Sequence, residues 1–213
     1  GETWGGQIFP GEGSLFNNPN KKGRDAQVDF ITKTIEKVKP NVILETGTHT
    51  AFFDLLALEL MPDAKIYTFG ISEFSKDAVE ILKKEKNADI HFFEGDSTKT
   101  LTEFTTDDKI DFAWVDGGHF GEVPITDLRN CGRLNIPHIL VDDYFYLQDD
   151  VMRSVKMFVS ETNYEIISHT DNTLDDRGIV YISNCPKTIE DSKKPSMSDV
   201  TFGILTSGRT DPD

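Results

Sequence analysis

Carboxylates recur where apolar runs end. Asp116 closes the run 110–116 and is followed by Gly117, Gly118 and His119, while the adjacent pair Asp142 and Asp143 closes the run 138–142. Three carboxylates brought to one crevice repel one another unless a positive charge sits between them, and a divalent cation is the economical answer. Hard oxygen ligands favour magnesium, with manganese tolerated, and leave positions for water and for two hydroxyls of a substrate. The plainer reading of Asp142 and Asp143 is a pair of solvated loop acids in a chain rich in them. His119 is bracketed by Gly117, Gly118 and Gly121. An imidazole suits proton transfer near neutral pH, since it titrates at about 6.5 when unperturbed, so His119 is a candidate base beside Asp116. His49, His91, His138 and His169 lack such a setting and read as structural.

Other apolar runs end in polar groups too. Glu45, Thr46, Gly47, Thr48 and His49 follow the first, Gly70, Ser72 and Glu73 the second, and Glu94, Gly95, Asp96 and Ser97 the third. A strand-to-helix turn with Thr50 as N-cap explains the first segment equally well. Helix capping also competes for Ser72, Glu73 and the Asp96-Ser97 pair.

These groups need a scaffold that brings run ends together. Val28, Ile31, Ile35 and Val38 recur at helical spacing from Asp25, and Pro40 stops the element. Strand-like runs at 42–45, 65–69, 90–94, 110–116 and 138–142 then alternate with helical stretches near 50–60, 76–86, 98–104, 121–131 and 148–160. Such alternation predicts an α/β fold, a mostly parallel sheet with helices on both faces. Two further runs, 164–168 and 178–182, have no helix between them and must form an antiparallel pair at the sheet edge. In open sheets of this kind ligands bind beyond the carboxyl ends of the strands, where the acids and His119 lie.

The flanks differ in character. Residues 1–24, with glycines and prolines among Trp4, Phe9 and Phe16, read as an arm or lid; 25–184 form the main domain, and 185–213 a polar extension whose run 200–205 is the one strand-like part.

Composition removes several classes. Lys and Arg number 22 against 37 Asp and Glu, a net charge of −15, which opposes binding to a phosphate backbone. No apolar run approaches the roughly 20 residues of a membrane span. Cys131 and Cys185 are isolated, which argues against a disulfide framework and fits a reducing, cytoplasmic setting. The chain starts at Gly1 without Met, so a larger polypeptide is an open expectation.

The succession ILETGTHT, YTFGIS, FFEGDST, FAWVDGGHFGE and ILVDDY, spanning about residues 41–182, resembles the class I S-adenosylmethionine-dependent methyltransferases. The WVDGGH and VDDY pair is similar to the metal-dependent sugar O-methyltransferases of the macrocin and mycinamicin type. The resemblance implies a Rossmann-like seven-stranded sheet. It places Glu45, Gly47 and Thr48 at the methionine part of the cofactor, and Asp96 and Ser97 at the adenine. The usual ribose-binding acid is replaced by Gly70, leaving Ser72 or Glu73 as substitute acceptor. Asp116, Asp142 and Asp143 become metal ligands, and His119 the general base.

The function implied is S-adenosylmethionine- and divalent-metal-dependent O-methylation of a hydroxyl in a vicinal diol of a sugar, on a small-molecule or glycan acceptor. A catechol is the alternative diol. Two rival readings are a cephalosporin-hydroxylase-like enzyme, which would normally want histidine ligands for its iron, and a non-catalytic module that keeps the fold.

Overall fold

The computed structural model describes residues 21–145, 150–173 and 177–184. Most of the N-terminal arm and all of the expected extension from 185, with its run 200–205, lie outside the described residues.

Helix α1 (Lys21–Val38) begins four residues before the expected Asp25. It ends where Lys39 turns left-handed at φ 52, its N–H reaching back to Ile35 O at 2.7 Å, and Pro40 prevents continuation. Then follow β1 (Val42–Thr46), α2 (Phe52–Leu60), β2 (Lys65–Gly70), α3 (Glu73–Lys86), β3 (Ile90–Glu94), α4 (Ser97–Glu103), β4 (Phe112–Val115), α5 (Val123–Arg133), β5 (His138–Val141), α6 (Asp150–Glu161), β6 (Glu165–His169) and β7 (Val180–Ser183).

The seven strands form one sheet in the order β3-β2-β1-β4-β5-β7-β6. β1 to β5 pair in parallel, and β7 lies antiparallel between β5 and β6. The last two runs thus make the antiparallel pair at one edge, as their helix-free connection requires.

The side-chain alternation of the strands sorts the core into two layers. Leu44, Phe69, Ala113, Val115, Ile139 and Val141 face the side covered by α4, α5 and α6, where Leu101, Leu128, Val155 and Phe158 meet them. Ile43, Ile66, Phe112, Trp114 and Leu140 face α1, α2 and α3, with Ile35, Phe53, Ala57 and Val79 packed against them. Fully burying a side chain of this size contributes about 1.5–3 kcal/mol, so both faces must be covered for the sheet to hold. The winding direction reverses between β1 and β4, and that reversal opens a crevice beyond the carboxyl ends of these two strands.

Candidate functional site

The crevice has a closely packed floor. Gly47 leaves β1 at φ +89, and a Cβ there would lie 1.8 Å from the Asp116 carbonyl oxygen, so only glycine lets the two loops touch. Further along the same loop, His49 at φ 39 and Ala51 at φ 55 take left-handed conformations that glycine adopts without cost. Ala51, not Thr50, is the N-cap of α2, and no side chain caps it.

Most of the side chains expected at the cofactor turn inward. Glu45 is 1% exposed; the Thr68 hydroxyl donates to its Oε2, and Thr68 in turn pairs with the Thr48 hydroxyl at 2.6 Å. Its other neighbour is Asp54 of α2, which has no exposed surface. Burial, and then the charge of Asp54, raises the Glu45 carboxyl well above its ordinary value, while burial pushes Asp54 up to about 7. The two carboxyls are within hydrogen-bonding reach of each other. A carboxylate has no proton to give, so that contact exists only while the pair keeps one.

Beyond β2 and β3 the expected acceptors are caps as well. Ser72 caps α3, accepting from Ser75 N–H at 3.1 Å, and shares a 2.9 Å contact with the Ser75 hydroxyl. Asp96 caps α4 through Oδ1, which accepts from Thr98 N–H at 3.0 Å and the Thr98 hydroxyl at 2.7 Å; these bonds hold its carboxyl below its ordinary value. Asp96 is exposed. Ser97 is nearly buried and donates to Asp127 Oδ2 at 3.1 Å. Asp127 is a fully buried acid of α5 that burial raises to about 6. A Cβ at Gly117 would sit 2.8 Å from that oxygen, so Asp127 ties the β3 turn to the β4 turn.

The ends of β4 and β5 behave differently, because their side chains converge. Asp116, His119 and Asp143 each place a ligand-capable atom within 4.8 Å of the others, the group of that kind found among the described residues. Asp142 stands beside this group, close enough for its charge to act on Asp116. Burial, then repulsion from Asp142 and Asp143, raises the Asp116 carboxyl well above its ordinary value. Asp143 is fully buried at φ 58; hydrogen bonds from His119 and Arg177 outweigh that burial and hold its carboxyl down. His119 Nδ1 lies 2.8 Å from Asp143 Oδ2. If Nδ1 donates there, the lone pair of the imidazole sits on Nε2.

Do these residues fit a divalent cation? The donors are hard oxygens with one imidazole, and Asp116 lacks the counter-charge that would let it ionise easily. They fit, with Asp116 raised by the neighbouring acids and Asp143 already engaged by Arg177 and His119.

A family model described as O-methyltransferase matches residues 18–159. The chain belongs to the O-methyltransferase family. Its fold is shared with the SAH-bound methyltransferase PaMTH1 of Podospora anserina, at TM-score 0.58 and 18% identity over 74% of this chain and 77% of that one. Cofactor-bound Rv0187 from MTB gives TM-score 0.63 and 14% identity over 76% and 86%. The O-methyltransferase TomG from Streptomyces achromogenes, in complex with SAM, gives 0.60 and 15% over 74% and 78%. A search of curated proteins found no match. This O-methyltransferase is thus an S-adenosylmethionine-dependent enzyme of the class I fold, as its motif succession implies. Among the described residues no helix is long and apolar enough to cross a membrane.

Three residues of the site escaped the sequence reading. Asp54 interrupts the apolar helix FFDLLALEL, a detectable signal, and Asp127 sits on the buried face of VPITDLRNCGR. Arg177 precedes β7 and gave no signal, because only the antiparallel pairing brings it to Asp143.

Proposed function

We propose that this O-methyltransferase transfers a methyl group to one hydroxyl of a vicinal diol, with a divalent cation at Asp116, Asp142 and Asp143 and with His119 as the base. The single observation that carries the reading is the convergence of Asp116, His119 and Asp143 within 4.8 Å at the crevice that the fold reserves for ligands. When bound, S-adenosylmethionine supplies the electrophilic methyl and magnesium or manganese supplies a Lewis acid that lowers the pKa of a hydroxyl. The chain does the rest. Asp143 orients His119 through Nδ1, leaving Nε2 to accept the hydroxyl proton. The loop at Gly47, pressed against Asp116, fixes the cofactor side relative to the acceptor side, and holding two reactants in line accounts for much of the acceleration in such a displacement.

The acceptor we propose is a sugar diol, on the motif similarity of VDGGH and VDDY. A catechol is the second reading, favoured by the exposed Phe120 at 48%, whose ring stands edge-on to His119 at 6.1 Å. Flat apolar rings would stack there. The test is release of S-adenosylhomocysteine with matched acceptors: sugars with a vicinal diol, the same sugars lacking one of the two hydroxyls, and catechol against phenol. Turnover with sugar diols and none with the deoxy partners is expected. Equal turnover on diol and deoxy acceptors overturns the chelation reading, and turnover on catechol alone overturns the sugar.

A further inference from the structure

The segment entering β7 runs alongside the loop that leaves β5. Tyr144 N–H donates to Gly178 O at 2.9 Å and Phe145 N–H to Arg177 O at 2.7 Å. Gly178 has φ +77, and a Cβ there would stand 2.1 Å from Phe145 Cδ2, so the two segments approach as closely as their backbones allow. This pairing carries the Arg177 guanidinium onto Asp143 in a forked contact, Nε to Oδ1 at 2.5 Å and Nη2 to Oδ2 at 2.7 Å. Oδ2 also has His119 Nδ1 at 2.8 Å. A buried carboxylate held in this way has its oxygens committed before any ion arrives, and forked charge-assisted bonds are among the strong ones. Asp116 has no such partner within the group and feels Arg177 only at a distance, as one charge among several. One of the three acids is therefore neutralised by the protein itself, and the positive charge comes from a segment remote in sequence from all of them.

Building on the metal-assisted reading, we propose that Arg177 is a resident counter-charge that competes with the divalent cation for Asp143 and so sets how tightly the ion is held. Oδ2 already accepts from both Arg177 and His119, so a cation reaching Asp143 must share Oδ1 with the Arg177 Nε–H or displace a prong of the fork. While the fork stays closed, the guanidinium opposes a like charge a few ångströms away. Metal affinity is then modest by construction, and the ion exchanges readily between turnovers. The position of Arg177 is fixed through its own backbone carbonyl, which accepts from Phe145 N–H.

The test is a Mn2+ titration followed by electron paramagnetic resonance on the full chain, without acceptor, so that the readout is occupancy and not turnover. Arg177→Met removes the charge and keeps the length; Arg177→Gln removes the charge yet leaves an amide to donate to Asp143, which keeps a foldable variant in hand should the Met protein fail. Both variants are expected to bind Mn2+ at least roughly tenfold more tightly than the wild type, since a single positive charge at this range is worth that much or more. Equal affinity in wild type and Arg177→Gln overturns the competition and leaves the metal-assisted reading standing. No Mn2+ signal change in any of the proteins overturns both.

Discussion

The crevice is built from two halves that use their residues in opposite ways. Beyond β1, β2 and β3 the polar side chains turn into the protein: Glu45 to Asp54 and Thr68, Ser97 to Asp127, with Ser72 and Asp96 spent on helix caps. Beyond β4 and β5 they turn toward each other, as Asp116, His119 and Asp143 do. In the first half the Gly47 loop packs its backbone against Asp116, and α2 starts at Ala51 without a side-chain cap. The second half presents side chains with charge and a proton acceptor.

The largest effect expected from that division follows exhaustive chelation of divalent ions. Turnover should fall to background and return with added Mg2+, while binding of S-adenosylmethionine, measured by calorimetry, stays within about twofold because its half of the crevice does not use the ion. Persistence of full turnover would remove the metal from the mechanism and with it the reason for gathering Asp116, Asp142 and Asp143.

Gly47→Ala attacks the seam between the halves. A methyl group 1.8 Å from the Asp116 carbonyl oxygen, at φ +89, forces the two loops apart. Both cofactor affinity and turnover should drop by roughly 10-fold or more, together with the melting temperature, since strain of this kind costs about 1–3 kcal/mol. A variant with wild-type binding would show that the loop contact is dispensable.

A smaller effect belongs to Asp96. Its Oδ1 is engaged by Thr98, so Asp96→Ala loses an N-cap worth about 0.5–2 kcal/mol as well as the contact to adenine that the motif resemblance implies. Asp96→Ser keeps the cap and should still lower cofactor affinity; if only the alanine variant does so, the residue is a cap and nothing more.

The smallest effect, and the one confined to the inward-turned half, is on stability. The Glu45 and Asp54 carboxyls have folded-state values raised above those of free acids, Asp54 to about 7. Between the ordinary carboxyl range near 4 and the raised value, the folded state holds more protons at this pair than the unfolded one, so the pair's own contribution to stability is greatest at low pH and is lost as pH rises through about 7. Asp54→Asn removes that burden and should raise the melting temperature at pH 8 by more than at pH 5. An equal shift at both pH values would mean that the pair does not share a proton in the folded protein.

The fold was readable in the sequence because periodicity and turn residues report local structure directly. β3 runs over the residues its apolar pattern marks, and the antiparallel pairing of β7 was forced by the absence of a helix before it. The acids beyond β4 and β5 were readable for a related reason, since a parallel sheet must bring strand ends together. Side-chain direction was harder. Nothing in ETGTHT says that Glu45 and Thr48 face inward, because that depends on where Asp54 and Thr68 come to lie. Ala51 in a left-handed conformation shows that the loop keeps its course without the glycine usual in such turns, at a strain cost of about 1–2 kcal/mol. Arg177 could not be found at all without the register of β5 on β7.

His119→Ala separates the two halves most directly. Turnover and S-adenosylmethionine affinity should be measured on the same preparation, with the vicinal diol that the wild type turns over best. If the acceptor half supplies the base and the cofactor half works independently, turnover falls by roughly 10²–10⁴-fold while the dissociation constant moves less than about twofold. Near-wild-type turnover, or a loss of affinity in step with a loss of rate, would contradict the division and return His119 to a structural role beside Asp143.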